Sequence, residues 1–568
     1  MSSIRVELVF AALNRTATLI DYNIYNDIHK QHEFKKQIVL ADESLTNDEK
    51  AYAIRELTKT YDKIKIMNNE GTRRICENCN QECFATLYCE YCVRNYLKES
   101  FSNWTSGNYD IDNLIQRCQL ETLRPNVIVE WIPYNDFRNI YYLTKGGFSE
   151  IYTAVWINGG YEEWDSEKKQ LIRFGSQKVV LKGLENVESA NQSWFEEAKS
   201  HLIISNKWPH IIQCFGLTQN LSNGNYMLVM DSADIDLRRY LQQNHNQLTW
   251  KERINIIYDI TVALGVIHSE RAIHRDLHSG NILYSQLNQV WFISDLGFCG
   301  PADKSSTSIY GNLPYIAPEV IVGREFTFAS DIYSIAILMW EISSGQTPFI
   351  NFQHENDIVM NVINGIRPKI VPGTPLIYKN LMKECWNADP LKRPDINTLI
   401  DNTYEMLQFF REINETVINY LDADNLETNY ASSKLFTSKL HQFENLPEPR
   451  NATIEEQEEF YSKLYNFNSP NNIDDFNGSN KQESKSSKIN NIFKDNSKKL
   501  SKLFKKLQIN SNNDNKEIIQ QVKRQNIDIN DKMDEIHNNP NLHHPEKDEL
   551  EIPNAITLQK LQFLSNVI

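Results

Sequence analysis

One loop constrains the fold and the chemistry of this 568-residue chain more than any other stretch. It reads Ile273-His-Arg-Asp-Leu-His-Ser-Gly-Asn-Ile-Leu283 and lies between a helical pattern and an apolar run typical of a strand. The spacing of Asp276 and Asn281 lets the carboxylate face an incoming hydroxyl group while the amide reaches a metal ion. Asp295 follows at the end of the next apolar run, and Gly297 frees the backbone beside it. This pattern indicates a site that combines a base with metal ligands.

Two upstream motifs supply candidate contacts for a phosphate-bearing ligand. The segment Lys145-Gly-Gly-Phe-Ser-Glu-Ile-Tyr152 lies between two predicted strands, where a glycine-rich hairpin can lay its backbone amides over phosphates. Further along, Val179-Val-Leu-Lys182 ends an apolar strand in a lysine, and Glu197 on the next predicted helix is its natural carboxylate partner. Either motif alone is weak, since a plain hairpin turn and a surface lysine would explain them.

Ala317-Pro-Glu319, Asp331 and Arg393 complete an ordered set of motifs downstream. The whole set resembles that of eukaryotic protein kinases, and the stretches HRDLHSGN and GNLPYIAPE are most similar to the tyrosine-kinase-like group. The resemblance implies an α+β, two-lobed protein kinase fold over residues 136–409. A small β-rich N-lobe and a large helical C-lobe would hold ATP between them. Strand patterns before residue 235 and helical patterns after it agree with that architecture.

The resemblance also implies a role for each matching residue. In such a site an aspartate acts as base, a lysine holds the α- and β-phosphates of ATP, and a glutamate orients that lysine. The implied catalytic residues, with the base first, are Asp276, Lys182, Glu197 and Arg275. The implied Mg²⁺ ligands are Asn281 and Asp295. The implied ATP contacts are Thr144, Lys145, Gly146, Gly147, Phe148, Ser149, Ile151, Lys182, the gatekeeper Met230 and the hinge residue Ala233. Glu319 and Arg393 would form a buried pair, and Asp331 would brace the catalytic loop.

The expected function is therefore ATP-dependent phosphorylation of protein substrates. His278 replaces the lysine usual in serine/threonine kinases, Gly280 departs from the tyrosine-kinase pattern, and Asn312 departs from both. We expect serine or threonine acceptors, with tyrosine left open. The alternative is a pseudokinase scaffold, since Thr144 and Ser149 stand where the loop usually has glycines, and Leu296 replaces phenylalanine in the metal motif. A second rival treats the flanking segments as the functional parts and the kinase domain as their carrier.

A serine-rich stretch of the predicted activation segment suggests a switch. Its hydroxyl groups belong to Ser305, Ser306, Thr307, Ser308 and Tyr310. A phosphate here could pair with the guanidinium of Arg275 and order the segment. The alternative is a loop that is simply solvated.

A cysteine-rich segment at residues 76–92 precedes the kinase-like region. Cys76, Cys79, Cys89 and Cys92 form two CxxC pairs, which can present four thiolates to one structural Zn²⁺. Nine residues between the pairs make a short knuckle, and Cys83 is a spare or alternative ligand. A reduced cysteine-rich loop or a redox pair would explain the pattern without zinc.

For the other segments on either side of the kinase-like region, the expectations come from composition and sequence pattern. We expect a helical region at 1–75, a connector at 93–135, and a largely disordered tail at 410–568. The cysteine segment and the tail phrase FTSKLHQFENLPEPRN resemble a kinase family expanded in arbuscular mycorrhizal fungi. The basic amphipathic segment 481–507 could contact an anionic membrane or an acidic partner, or be a solvated lysine run.

Net charge, cysteine content and apolar run length restrict the ligands and the cellular compartment expected for the chain. A net charge of −15 argues against nucleic-acid binding, because a phosphate backbone demands a positive face. Nine cysteines are too few for a disulfide scaffold of this size. The longest apolar runs are shorter than a membrane span requires. We therefore expect a cytoplasmic protein without a transmembrane segment.

Overall fold

The structure is a computed structural model. It describes residues 4–21, 24–69, 71–145, 149–184, 193–286, 289–297, 299–301, 309–352, 354–412 and 437–467. By contacts the described residues up to Glu459 form one compact unit, and the described residues from Phe460 onward belong to a second. The contacts described below lie within Met1–Glu459.

The helices and strands of the described residues are numbered in chain order. The helices are α1 Val6–Leu19, α2 Ile28–Ala41, α3 Asn47–Asn68, α4 Glu90–Glu99, α5 Tyr109–Glu121, α6 Ser193–Ser200, α7 Leu237–Asn244, α8 Trp250–Ser269, α9 Pro318–Ile321, α10 Phe328–Ser344, α11 Glu355–Ile363, α12 Leu376–Cys385, α13 Ile396–Glu412 and α14 Ile454–Phe467. The strands are β1 Arg74–Ile75, β2 Glu82–Cys83, β3 Glu130–Trp131, β4 Phe137–Lys145, β5 Glu150–Trp156, β6 Tyr161–Asp165, β7 Gln170–Arg173, β8 Gln177–Gly183, β9 Cys214–Gln219, β10 Tyr226–Asp231, β11 Ile235–Asp236, β12 Ala272–Ile273, β13 Ile282–Ser285, β14 Val290–Ile293, β15 Gly300–Pro301, β16 Ile309–Gly311 and β17 Lys439–His441.

The N-terminal region is helical, as expected. Helix α3 begins at a capping box, in which Glu49 N donates to Thr46 Oγ1 at 3.3 Å and Thr46 N donates to Glu49 Oε2 at 2.8 Å. Helices α1 to α3 share a small apolar core that includes Val9, Val39 and Ala53.

A six-stranded sheet forms the β-rich lobe, in the order β3-β9-β10-β8-β5-β4. Only the β3–β9 pair is parallel. Both faces of the sheet are apolar. On one face Trp156, Val179 and Leu181 form a buried cluster, and on the other Leu217 and Leu228 pack with residues of α5 and α6. The alternation of side chains along β8 serves both faces, so that Val179 and Leu181 enter one cluster while Val180 packs against the other.

Residues between β5 and β8 form a separate hairpin, β6–β7. Its Trp164 and Leu171 are buried against the cysteine-rich segment together with Val93 and Leu97 of α4. The inserted hairpin therefore joins the cysteine-rich segment to the lobe that carries the sheet.

The second lobe is helical and has α8 and α10 at its centre. Nearly every residue of both helices is buried. Thr327 caps the start of α10, and Gly345 ends it in the left-handed conformation at φ 69°. The two-lobed α+β architecture expected from the sequence is confirmed.

The C-terminal region differs from the expectation in one stretch. Residues 437–467 carry β17 and α14, although a largely disordered tail is predicted from residue 410. Residues 439–450 are held by contacts with the helical lobe, where β17 pairs with β16 and Arg450 N donates to Ile363 O at 3.0 Å. Composition cannot reveal order that depends on docking. The basic segment 481–507 lies outside the described residues, so its docking stays a prediction.

Within the part of the chain that the structure describes, no helix combines the length and apolar character needed to cross a membrane.

Candidate active site

Lys182 connects the two lobes through a pair of carboxylates. Its Nζ lies 2.7 Å from Glu197 Oε1 on α6 and 2.5 Å from Asp295 Oδ1. Burial lowers the pKa of this lysine, but the attraction of Asp295 and Glu197 outweighs burial and raises the pKa overall. Although burial also opposes ionisation of Asp295, the lysine charge holds that pKa well below its usual range. Lys182 is therefore a fixed cation beside a fixed carboxylate.

Helix α5 of the connector supports the helix that carries Glu197. Ile111 and Ile115 pack in one buried cluster with Ala198 and Leu202, which lie on and just after α6. The sequence does not reveal this contact, because the connector and α6 are far apart along the chain.

The predicted ATP contacts surround Lys182 on neighbouring strands. Ile151 of β5 and Leu228 of β10 pair with Lys182, while the buried Met230 pairs with Val180. Ser149, the residue just before β5, is buried. Thr144 and Lys145 are exposed at the end of β4, and Ala233 is half-buried after β10. Gly146, Gly147 and Phe148 lie outside the described residues.

Asp331 of α10 holds the loop that carries the predicted base. Its carboxylate accepts hydrogen bonds from the backbone N of His274 at 2.8 Å and of Arg275 at 3.0 Å. His268 Nε2 lies 2.9 Å from the same carboxylate. Arg275 adopts φ 69°, and Asp295 φ 59°, in the left-handed region that few side chains favour. Buried hydrogen bonds hold these two strained positions in place.

Asp276 is buried at the centre of this loop. Its Oδ1 accepts from Asn312 N at 3.2 Å, and its backbone oxygen accepts from Asn281 Nδ2 at 2.9 Å. Burial raises the pKa of Asp276 to about 7, and the charge of Asp295 adds to the shift. A carboxylate with this pKa can accept a proton near neutral pH.

The segment between Asp295 and Glu319 is fixed at its C-terminal end. Arg393 Nη1 and Nη2 donate to the two carboxylate oxygens of Glu319 at 2.6 and 2.7 Å, and both side chains are almost fully buried. Arg393 Nη1 also donates to Ala329 O at 2.8 Å. Such a two-point contact fixes the orientation of both groups.

A second buried hydrogen-bond network, around Glu341, is not predicted from the sequence. Ser279 Oγ donates to Glu341 Oε1 at 2.9 Å, Tyr315 OH donates to the same carboxylate, and Arg238 Nε donates to Ser279 Oγ at 3.2 Å. The network ties the loop of Asp276 to α10 and to the end of the activation segment. The only sequence signal is the carboxylate of Glu341 within the apolar run IYSIAILMWEISS.

The structure describes only part of the activation segment, in which a phosphorylation switch is predicted. Ser305, Ser306, Thr307 and Ser308 lie outside the described residues, whereas Tyr310 is buried in β16. The Arg275 guanidinium lies 6.0 Å from the ring centre of Phe326. Its pairing with a phosphate stays a prediction.

The four cysteines of the two CxxC pairs come together. Cys76 Sγ lies 3.7 Å from Cys92 Sγ, and Cys79 Sγ lies 3.5 Å from Cys89 Sγ. All four sulfurs lie within 4.8 Å of one another, and each cysteine is a free thiol. Sulfurs about 2.3 Å from a tetrahedral zinc lie about 3.8 Å apart, so this donor set fits the ion. Cys83 is not one of the four.

Comparison with known proteins agrees with this geometry. Residues 138–403 match the family model of protein tyrosine and serine/threonine kinases. The dual serine/threonine and tyrosine protein kinase of Homo sapiens is 34% identical over 172 residues, which cover 30% of this chain and 18% of that protein. The probable serine/threonine-protein kinase gdt4 of Dictyostelium discoideum is 28% identical over 284 residues, which cover 48% of this chain and 16% of that protein. The chain thus spans less than a fifth of the length of either relative.

Proposed function

Because the chain belongs to the eukaryotic protein kinase family through residues 138–403, we propose that it transfers the γ-phosphoryl group of ATP to hydroxyl groups of protein substrates. The observation that carries the proposal is the contact of Lys182 with both Glu197 and Asp295, at 2.7 and 2.5 Å. Protein kinases need this lysine–glutamate pair and the metal-binding aspartate in place together.

Each residue of the site has a defined task in the proposed reaction. Lys182 holds the α- and β-phosphates of ATP, and Glu197 keeps that lysine in position. Asp276 orients the acceptor hydroxyl group and accepts its proton late, since phosphoryl transfer passes through a loose transition state. Positioning and charge neutralisation therefore do most of the work.

Asn281 and Asp295 would hold Mg²⁺, for which carboxylate and amide oxygens are suitable ligands. When bound, the metal ion neutralises charge on the β- and γ-phosphate oxygens. The ionised state of Asp295 supports this assignment, because its pKa lies well below neutrality under the influence of Lys182.

Serine and threonine are the proposed acceptors, with tyrosine as the alternative. The names of the relatives support both, because one is a serine/threonine kinase and the other a dual-specificity kinase. Incubation of the purified full chain with Mg²⁺, ATP and casein, followed by phosphoamino-acid analysis, tests the proposal. We expect phosphoserine or phosphothreonine. Phosphotyrosine alone would reverse the acceptor assignment, and absence of transfer would favour the pseudokinase scaffold.

The rate of transfer should rise with pH and level off above about pH 7, because protonated Asp276 cannot accept the hydroxyl proton. Below that pH the rate should fall about tenfold per pH unit. Burial lowers the pKa of His278 to about 3, so this neighbour stays neutral in the same range. Initial rates measured from about pH 5.5 to about 8.5 with saturating ATP check the profile. A flat profile would contradict the role of Asp276.

A structural zinc ion held by Cys76, Cys79, Cys89 and Cys92 is part of the proposal. Although burial raises the pKa of the Cys76 thiol, hydrogen bonds from the backbone N of Cys79 and Asn78 outweigh it and bring that pKa to about 6. Burial raises the pKa of the Cys89 and Cys92 thiols, so zinc binding would release protons from these two cysteines, because the thiolate is the ligand. Four thiolates would leave no open position for catalysis.

The full chain should contain one zinc ion, which Cys79→Ser should remove while lowering the melting temperature of the N-terminal region, since structural zinc contributes directly to folding. Metal analysis and calorimetry measure both effects. Cys83→Ser is the matched control in the same segment, and it should retain the metal. A reduced wild-type protein without zinc, or equal loss in both variants, would contradict the site.

The proposed organisation follows the sequence boundaries. It comprises a helical region at 1–75, the zinc knuckle at 76–92, a connector at 93–135, the kinase domain at 136–409 and a C-terminal region from 410. The family match over 138–403 supports the kinase boundaries. The free thiols of all nine cysteines support a reducing, cytoplasmic location.

A further inference from the structure

A short strand from the C-terminal region lies in the cleft beside the predicted base. Strand β17 pairs antiparallel with β16 of the activation segment, with Ile309 opposite His441 and Gly311 opposite Lys439. His441 Nε2 also lies 3.0 Å from Gly311 O. An extended peptide that adds to an exposed strand is a common way in which proteins bind peptides.

Ser438, just before this strand, contacts the predicted base directly. Its side chain is buried, and Oγ donates to Asp276 Oδ1 at 2.9 Å. His278 Nε2 lies 3.1 Å from the same Oγ, and His278 Nδ1 accepts from Gly280 N at 3.0 Å. Because Nδ1 accepts, the proton of the neutral imidazole resides on Nε2 and is donated to Oγ. The hydroxyl proton of Ser438 is therefore directed at Asp276.

Polar contacts hold the residues that follow Ser438. Lys439 Nζ lies 2.7 Å from Glu355 Oε1, at the start of α11. Farther along, Asn451 Oδ1 accepts from Ala388 N at 2.8 Å, and Arg450 N donates to Ile363 O at 3.0 Å. The segment is thus fixed on the helical lobe at Lys439 and again at Arg450 and Asn451.

Glycine at position 365 indicates how closely this segment packs. It adopts φ 83°, and a Cβ there would lie 2.1 Å from Ala452 N and 2.4 Å from Arg450 O. The backbone of the docked segment therefore occupies the space that any larger residue would need.

We propose that Ser438 is an intramolecular phosphoacceptor, and that residues 437–441 occupy the groove for protein substrates until Ser438 is phosphorylated. The inference rests on the proposed kinase function. In the step, Ser438 Oγ forms a bond to the γ-phosphorus of ATP as the bond from that phosphorus to the β,γ-bridging oxygen breaks. Asp276 takes the hydroxyl proton, and ADP leaves.

Phosphorylation would change the affinity of the segment for the groove. A phosphoserine carries a charge of about −1.5 to −2, and here it would lie beside the carboxylate of Asp276, which Ser438 Oγ contacts at 2.9 Å. Like charges in a buried site repel one another, so the modified segment should leave and expose the groove.

The same groove defines a class of external substrate. Glu355 faces the residue directly after the acceptor, and its charge favours lysine or arginine there. A peptide with the sequence TSKLHQF should therefore be a better substrate than the same peptide with glutamate in place of its lysine.

Phosphosite mapping on the full chain tests the acceptor. The protein is dephosphorylated, the phosphatase is removed, and Mg²⁺ and ATP are added. We expect Ser438 phosphorylation to approach one phosphate per chain, with a rate constant unchanged on about tenfold dilution, as an intramolecular reaction requires. Ser222→Ala, which alters an exposed serine in the turn between β9 and β10, should behave like wild type. An Asp276→Asn chain mixed with active protein should stay unmodified at Ser438. Phosphorylation of that chain by its neighbour would overturn the intramolecular step.

A charge-reversal pair tests the docking without relying on activity. Lys439→Glu should increase hydrogen exchange at the amides of β17, because the ion pair with Glu355 is lost. The double variant with Glu355→Lys should restore protection. In parallel, Lys439→Glu should slow Ser438 phosphorylation several-fold and raise activity on the TSKLHQF peptide several-fold. Unchanged exchange in Lys439→Glu would overturn the docking.

The outcomes separate this inference from the proposed function. If Lys439→Glu and wild type phosphorylate the external peptide but Ser438 stays unmodified, the acceptor assignment fails and the kinase function stands. If no variant transfers phosphate to any substrate, the kinase function fails, and the phosphoacceptor role fails with it.

Discussion

Replacing Asp276 by asparagine should lower the rate of phosphoryl transfer by about 10²–10⁴-fold, the usual contribution of a positioned acid or base. The amide cannot accept the hydroxyl proton, although its shape matches that of the carboxylate. ATP binding should change little, because the proposed nucleotide contacts come from Lys182, Asp295 and the hinge. Rates from a labelled-ATP assay and affinities from a fluorescent ATP analogue measure the two effects separately.

Asp259→Asn is the matched control for that variant. Asp259 is also buried, and burial raises its pKa to about 7, but it lies on α8 outside the site. The control should keep nearly wild-type turnover. Wild-type turnover in Asp276→Asn would show that another group acts as base.

Replacing Arg393 by methionine should lower the free energy of unfolding of the helical lobe by about 3–5 kcal/mol. Arg393 donates two hydrogen bonds to Glu319, at 2.6 and 2.7 Å, and the variant would leave that carboxylate buried without its cation. Chemical denaturation of the full chain, followed by tryptophan fluorescence, measures the loss.

An exposed ion pair provides the control for this second prediction. Arg117 and Glu121 lie on the surface of α5 with Nε and Oε1 3.0 Å apart, and Arg117→Met should cost about 0–1 kcal/mol. The double variant Glu319→Gln with Arg393→Met should recover part of the loss, because no buried charge is then left unpaired. A loss below about 1 kcal/mol in Arg393→Met would mean that the pair does not stabilise the lobe.

A site residue can be predicted from the sequence when its partners lie close to it along the chain, or when it belongs to a motif shared by protein kinases. Asp276 and Asn281 share one loop, and the side chain of Asn281 contacts the backbone oxygen of Asp276 in the structure. Lys182 and Glu197 come from adjacent elements, so their pairing also follows from strand and helix patterns. The α+β fold class likewise follows from the change from strand patterns to helical patterns near residue 235.

The contact of Ser438 with Asp276 could not be predicted in this way. The two residues are 162 positions apart, and β17 is only three residues long, too short for a periodic signal. The sequence marks the stretch FTSKLHQFENLPEPRN only by its resemblance to the tail of a kinase family and by lacking the asparagine-rich character of residues 466–480, and neither feature indicates what the stretch contacts.

The packing of α5 on α6 and of β6–β7 on the cysteine segment escaped prediction for a related reason. Each depends on surfaces that match only after both partners have folded. Trp164 is an isolated aromatic residue in the sequence, and its burial against the cysteine segment appears only in three dimensions. Amphipathic patterns identify a buried face but do not identify what covers it.

The central claim is that this chain transfers phosphate from ATP to protein hydroxyl groups. Its most direct test is the transfer of label from γ-labelled ATP by the purified full chain, with and without Mg²⁺, beside Lys182→Met as the inactive comparison. We expect Mg²⁺-dependent labelling of serine or threonine in the wild type and almost none in Lys182→Met. No labelling by the wild type, or equal labelling by both proteins, would contradict the claim.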